Sequence, residues 1–207
     1  AWLDIPLDIQ AAQIDPLQLR GFDPVSEGYV KAVDPAWLEV QVEKTLALLQ
    51  AAKKPVVLVG NGVRLAKAEE EFLQLIRCLN IPVLTTWKTL DFLAENDPLY
   101  IGRPGAIGQR AANFAQQNSD CLMMIGARMD LGQTAYMHQY LAPKAKKIMV
   151  DIDPYEISKM QTVIDVPVAT DAKLFIHEML KQISSSKWQV DHELKNWWER
   201  CRKWKEC

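Results

Sequence analysis

The residues of this chain that could do chemistry sit just beyond its apolar runs, and they are the kinds that hold nucleotides. Asp151 and Asp153 flank Ile152 at the end of Ile148-Met149-Val150. An extended backbone would put both carboxylates on one side of the pleat. One of them suits ribose hydroxyls as hydrogen-bond donors; capping the helix that opens at Pro154 is the plainer job, and Asp153 is placed for it. Arg128 and Asp130 follow the run Cys121 to Ile125 after Gly126. A guanidinium there can pair with a pyrophosphate or stack on an aromatic ring.

Two glycine clusters join them. Gly60-Asn61-Gly62 follows Val56-Val57-Leu58-Val59. These glycines suit a tight turn with positive φ, or a loop whose backbone N–H groups meet a phosphate without a side chain intervening. The third glycine of the dinucleotide fingerprint is missing, so the motif alone decides nothing. Gly102-Arg103-Pro104-Gly105-Ala106-Ile107-Gly108 precedes a helical pattern from about Gln109 to Gln117. Helix N–H groups and the Arg103 charge would suit an anion or a flavin edge there, and a loop that lets two domains approach fits equally. Thr86-Trp87-Lys88 follows Ile81-Pro82-Val83-Leu84-Thr85, again at a strand's carboxyl end.

The elements that must position these groups alternate. Apolar runs at 56–59, 81–85, 121–125, 148–153 and 163–169 read as strands, separated by turns and helical patterns. Val56 to Val59 does not alternate with polar residues, so both faces of that strand are expected to be covered. Asp34 and Pro35 supply an N-cap and a first-turn proline, and Leu38, Val42, Leu46 and Leu49 fall on one helical face. A helix from Arg64 carries Phe72, Leu73, Ile76 and Leu79 as its stripe, with Glu69, Glu70 and Glu71 facing water, and ends at Asn80. Thr170 or Asp171 caps a helix through about Ile183. The alternation predicts an α/β fold, a doubly wound parallel sheet with helices on both faces.

Composition removes several classes of function. The chain has 207 residues, 49% of them hydrophobic, and a formal charge of −2. That is enough to bury one sizeable core, and it gives no basic field for nucleic acid. No apolar stretch is long enough to cross a bilayer, so no membrane partner is expected. Cys78, Cys121, Cys201 and Cys207 are widely spaced, without a CxxC pair or a nearby histidine at zinc spacing. Two of them sit in apolar helix or strand context and read as buried reduced thiols, which favours the cytoplasm, and no metal ligand set emerges.

The two ends read differently from the middle. Ala1-Trp2-Leu3-Asp4-Ile5-Pro6 resembles the middle of a strand, and the chain reads as a piece of something longer. From Leu7 to Pro35 prolines recur and no period persists, as in a connection crossing a surface. Beyond Ser184-Ser185-Ser186, Leu194, Trp197, Trp198, Cys201 and Trp204 mark one face of a terminal helix. Four tryptophans from Trp188 to Trp204 should pack back on the domain or on a partner domain, while Asp191, Glu193, Glu199 and Glu206 offset the basic residues.

In sum the order of Trp2 to Gln10, Val59-Gly60-Asn61-Gly62, Ile81-Pro82-Val83, Gly126 to Asp130, Val150 to Asp153 and Thr170-Asp171-Ala172 resembles the thiamine-diphosphate enzymes of the acetolactate synthase type. The resemblance covers essentially the whole chain. It implies the last strand of a pyrimidine-binding domain at 1–10, a linker at 11–34, the central domain at 35–186 and a helix towards the pyrophosphate-binding domain at 187–207. It further implies a six-stranded, mainly parallel sheet. In such synthases this domain holds FAD as a structural group. Carried over by position, the contacts fall on Gly60, Asn61, Gly62, Thr85, Thr86, Trp87, Gly102, Arg103, Gly105, Arg128, Asp130, Asp151, Ile152, Asp153, Thr170, Asp171 and Ala172.

The chain departs from the synthase pattern, which has three glycines at 60–62, a Met-His-Gly-type loop at 103–105, Gly-Asp at 170–171, and an arginine-proline pair near Arg20. The resemblance therefore leaves FAD, ADP and an empty crevice open. Thiamine diphosphate and Mg²⁺ would be held by flanking domains, in a homodimer or homotetramer that decarboxylates a 2-oxo acid and ligates the product to a second carbonyl. The activating glutamate and the Gly-Asp-Gly…Asn motif of that chemistry lie outside these residues, so no residue here is expected to be catalytic. Two alternatives remain: a ligand-free scaffold that spaces catalytic domains, and a free-standing nucleotide-dependent enzyme.

Overall fold

A computed structural model describes residues 2–24, 26–28, 33–185 and 194–206. The chain divides into two units, Ala1–Val33 and Asp34–Cys207. In the first, Leu7–Gln10 (α1) is one helical turn, closed by Gln10 N–H donating to Pro6 O at 3.0 Å. The strand expected at the start is not formed among the described residues. The backbone here closes local bonds instead, with Ala11 N–H donating to Leu7 O and Ala12 N–H to Ile9 O, each at 3.2 Å. Its apolar side chains, among them Trp2, Leu3, Leu7 and Leu17, are exposed.

The second unit opens with Pro35–Ala51 (α2), where Asp34 accepts from Ala36 N–H at 3.0 Å. The expected face, Leu38, Val42, Leu46 and Leu49, is buried. Pro55–Val59 (β1) is buried at every position. The helix expected from Arg64 forms in two pieces, Gly62–Leu65 (α3) and Glu69–Leu79 (α4), with Lys67 between them at φ +53°. Leu75 joins Phe72, Ile76 and Leu79 in the core in place of Leu73. Glu71 does not simply face water, because it pairs with Lys173 at 2.7 Å. Asn80 ends the helix in the left-handed region, as a C-cap can.

Val83–Thr85 (β2) and Tyr100–Gly102 (β3) follow, then Arg110–Asn118 (α5), Cys121–Ile125 (β4), Leu131–Thr134 (α6), Lys146–Asp151 (β5), Pro154–Ser158 (α7), Val166–Ala169 (β6) and Ala172–Ser185 (α8). The sheet has six strands, all parallel, in the order β3-β2-β1-β4-β5-β6. The sixth strand is β3, where the sequence showed only a glycine cluster after Tyr100 and Ile101. Right-handed crossovers place α4 and α5 on opposite faces. In keeping with this, α8 packs on α2 and α4, and the last helix, Lys195–Glu206 (α9), packs on α5.

Residues 186–193, with Ser186, Trp188, Asp191 and Glu193, lie outside the described residues, as does Cys207. Of the expected face, Leu194, Trp197, Trp198 and Cys201 are buried and Trp204 is half-buried. Trp197 Nε1–H donates to Pro55 O at 3.1 Å, and Lys205 Nζ donates to Tyr100 O at 3.0 Å on the edge strand β3. The other edge strand, β6, carries Pro167. Burial pushes the Cys121 and Cys201 thiols up to about 12, so both are protonated and unreactive at neutral pH.

Candidate functional site

In this strand order the chain reverses direction across the sheet between β1 and β4, and the crevice of a doubly wound sheet lies outside the carboxyl ends at that point. A groove of about 570 Å³ occupies that place. Gly62 and Gly126 line it, with Gly60 behind them. Gly60 N–H donates to Ile125 O and Gly62 N–H to Gly126 O, each at 2.9 Å. A Cβ on Gly60 would stand 2.2 Å from Gly126 O, and one on Gly62 would stand 2.7 Å from Gly126 Cα. Neither Gly60 nor Gly62 has positive φ, whereas Gly126 does, at +56°. Of the two readings of this turn, the backbone that approaches it closely is the neighbouring loop, and two of its N–H groups are already committed there.

One wall is aromatic and basic. Thr86 opens a short turn of Trp87, Lys88 and Thr89, closed by a reciprocal bond between Thr86 and Thr89. Arg64 clamps that turn: its guanidinium donates to Lys88 O at 2.6 Å and to both oxygens of Asp91 at 2.9 and 2.8 Å. The half-buried Arg103 lies with its guanidinium carbon 6.0 Å from the Trp87 ring centre. Its Nε is buried without a hydrogen-bond partner.

The opposite wall is acidic. Asp151 ends β5, so the strand stops before the pleat reaches Asp153, which turns instead to cap α7 and accepts from Tyr155 N–H at 2.9 Å. Asp151 Oδ1 accepts from Asp153 N–H at 3.0 Å. No hydrogen bond reaches its second oxygen among the described residues. Burial pushes the Asp151 carboxyl above its usual value; the Asp153 N–H bond opposes this, and the nearby charges of Glu156 and Asp153 add to it. Arg128 Nε pairs with Glu156 Oε1 at 3.2 Å, and Glu156 also holds Lys159. Asp130 caps α6, accepting from Gly132 and Gln133 N–H at 3.0 and 3.3 Å.

The groove thus brings together Asn61, Gly62, Thr86, Trp87, Arg128, Asp130, Asp151, Ile152 and Asp153. Gly60 and the fully buried Thr85 lie behind this surface, with Thr85 Oγ1 at 3.3 Å from the Tyr100 hydroxyl. Gly102, Arg103 and Gly105 are on the loop between β3 and α5, where Gly105 is fixed by its approach to Gly132 O. Thr170, Asp171 and Ala172 follow β6. There Thr170 N–H donates to Asp151 O at 3.0 Å and Asp171 caps α8 by accepting from Lys173 N–H at 2.8 Å. Leu65, Lys88, Gly126, Gly132, Gln133 and Glu156 also line the groove without having been counted as contacts. For Glu156 a signal exists, the acidic residue three positions after the Asp153 cap. Leu65 and Gln133 reach the groove only through the short helices α3 and α6, which no period revealed.

The groove offers carboxylates, two cations, an aromatic ring and glycine backbone as groups that can hold a ligand. Hydroxyl donors suit Asp151, a ring face suits Trp87, and anions suit Lys88 and Arg128. No group of three or more metal-ligating side chains occurs among the described residues.

A six-stranded parallel sheet of this order, with a groove at its reversal point and helices around it, defines a doubly wound α/β domain. The family described as thiamine pyrophosphate enzyme, central domain, matches residues 42–179, and the chain belongs to it. Among curated proteins the chain is 37% identical over 189 residues to a probable acetolactate synthase large subunit of Methanococcus aeolicus, covering 87% of this chain and 30% of that protein. It is 36% identical over 200 residues to the acetolactate synthase large subunit of Corynebacterium glutamicum, covering 94% and 30%. To the isozyme 3 large subunit of Escherichia coli it is 30% identical over 190 residues, covering 91% and 31%. The chain therefore spans about 30% of the length of the curated relatives it matches.

Proposed function

We propose that this chain is the nucleotide-holding middle domain of an acetolactate synthase-like enzyme, and that its groove takes FAD or ADP as a structural ligand. The observation that carries this reading is the pairing of two unlike walls across the groove. On one side Asp151 keeps a carboxylate oxygen without a partner, as a ribose acceptor needs. On the other, Trp87 and Lys88 present a ring face and a cation, with the Arg103 guanidinium 6.0 Å from the Trp87 ring. The nucleotide would stabilise the fold and take no proton or electron from this chain's residues.

In the whole enzyme, residues 1–10 would complete a preceding domain, 11–34 would link it to the central domain at 35–186, and 187–207 would lead to a following one. Those flanking domains would hold thiamine diphosphate and Mg²⁺, which supply the carbanion chemistry for decarboxylating a 2-oxo acid and joining the product to a second carbonyl, in a cytoplasmic homodimer or homotetramer. The test is thermal unfolding of the full-length protein with FAD and with ADP. Ligand at a hundredfold over its dissociation constant adds about 2.7 kcal/mol to stability.

A second reading has its own support. The groove is lined by four carboxylates, Asp130, Asp151, Asp153 and Glu156, against two cations, Lys88 and Arg128, and the turn amides of Gly60 and Gly62 are already bonded. Such a lining opposes a diphosphate. A colourless full-length protein whose unfolding temperature moves with neither compound identifies the domain as a ligand-free scaffold.

A further inference from the structure

The turn before β1 and the first turns of α9 enclose a cleft of about 500 Å³ at the amino end of β1, away from the groove at the carboxyl ends of the strands. Lys53, Lys54 and Arg200 line it, together with Asn196 and Trp197. Among the described residues no carboxylate does. The larger groove is the reverse, with four carboxylates against two cations.

Both sides of the cleft are held by bonds that do not use the cationic heads of Lys54 and Arg200. Asp120 accepts from the backbone N–H groups of Lys53 and Lys54, at 2.9 and 2.8 Å, and its own N–H donates to Lys54 O at 3.2 Å. That carboxylate is thus spent on the turn's backbone. From the other side, the Trp197 indole ties α9 to Pro55 O at 3.1 Å. Neither the half-buried Lys54 ammonium nor the exposed Arg200 guanidinium has an ion pair or hydrogen bond among the described residues.

Like charges gathered on fixed supports repel one another, and a bound anion relieves that repulsion. The cations stand on two separate elements, so an anion that engages both sides needs charge at more than one point. Phosphate groups suit them: each carries nearly two charges at neutral pH, a guanidinium meets two phosphate oxygens at once, and an ammonium serves as a point charge. The volume falls within the range of small-molecule sites, roughly 300 to 1,000 Å³.

We propose that this cleft binds a small molecule carrying two phosphate groups, held between Arg200 on α9 and Lys53 and Lys54 on the turn before β1. The inference is independent of the nucleotide reading, since the cleft and the groove share no lining residue.

The experiment is calorimetric titration of the full-length protein, at fixed ionic strength, with fructose 1,6-bisphosphate, fructose 6-phosphate and citrate. The bisphosphate is expected to bind at least about tenfold more tightly than either of the others, which offer one phosphate or none. Lys54→Gln and Arg200→Gln should each weaken it about tenfold, the worth of a hydrogen bond to a charged group. Lys88→Gln, in the larger groove, should leave it unchanged. No binding of the bisphosphate, equal binding of citrate, or unchanged binding by folded Lys54→Gln and Arg200→Gln proteins overturns the proposal. A loss confined to Lys88→Gln also overturns it, by moving the anion to the groove. Should one variant fail to fold, the other variant and the three compounds on the unaltered protein decide.

Discussion

The carbonyl oxygen of Gly126 lies 2.2 Å from the point where a Cβ on Gly60 would stand, so the first and fourth strands of the sheet can end side by side only because residue 60 has no side chain. Backbone cannot rotate out of the way as a side chain tip can. Gly60→Ala is therefore expected to destabilise the protein by about 3 kcal/mol, the upper end of what overpacking costs. Chemical denaturation read by circular dichroism measures it, and a loss below about 0.5 kcal/mol would show that the two loops yield freely.

Trp197 ties the terminal helix to the start of β1 through its indole N–H and Pro55 O, at 3.1 Å in a buried setting. Trp197→Phe keeps most of the ring but leaves that carbonyl without a donor. The expected loss is about 1–3 kcal/mol from the orphaned acceptor, with some further loss from the missing ring volume. Trp204, whose ring meets Trp197 edge-on at 5.8 Å, serves as a comparison with no such bond among the described residues, and Trp204→Phe should cost less.

Glu71 governs part of the acid limb of stability. Its carboxyl is held below its usual 4.5, at about 2, first by the hydrogen bond from Lys173 and then by bonds from its own backbone and His177. Its folded value thus lies below its unfolded one. The stabilisation is complete above about 4.5 and is lost as pH falls from there towards 2. Glu71→Gln should flatten the stability profile in that window, lowering stability at pH 7 and changing little near pH 2. Urea midpoints between pH 2 and 7 test this.

Asp151 has the opposite sign. Its carboxyl is raised by burial, so its charged form weakens the fold as pH climbs above the unfolded value of 3.8. Asp151→Asn should therefore stabilise the protein at pH 7. The same change removes a charged acceptor from the groove, and nucleotide affinity should fall about tenfold to a hundredfold, the worth of a hydrogen bond to a charged group. Thermal unfolding with and without FAD or ADP separates the two effects.

Much of the fold was legible because burial leaves its period in the sequence. The unbroken run Val56 to Val59 announced a strand covered on both faces, and the spacing of Leu38, Val42, Leu46 and Leu49 announced the face of α2. Strand β3 was not legible: three residues at an edge, two of them apolar, become a strand only through pairing with β2. The helix after Gly62 read as continuous because Lys67, whose left-handed backbone divides it, is not a residue type that signals such a break. At the site, the groups at strand ends could be placed by alternation alone. Leu65 and Gln133 could not, since both are delivered by four-residue helices too short to carry a period. The cleft that joins Lys53 and Lys54 to Arg200 is a product of packing between distant segments, and no local pattern encodes it.

The two outer strands of the sheet are treated differently from the inner four. On β6 the residue at Pro167 lacks an N–H, and on β3 the carbonyl of Tyr100 is occupied by Lys205 from the terminal helix. Open strand edges recruit other strands, and proline and covering helices are means of preventing it. The last helix thus guards solubility as well as the core: a chain cut before Lys195 bares β3 and should associate edge to edge, growing larger with concentration where the uncut chain does not.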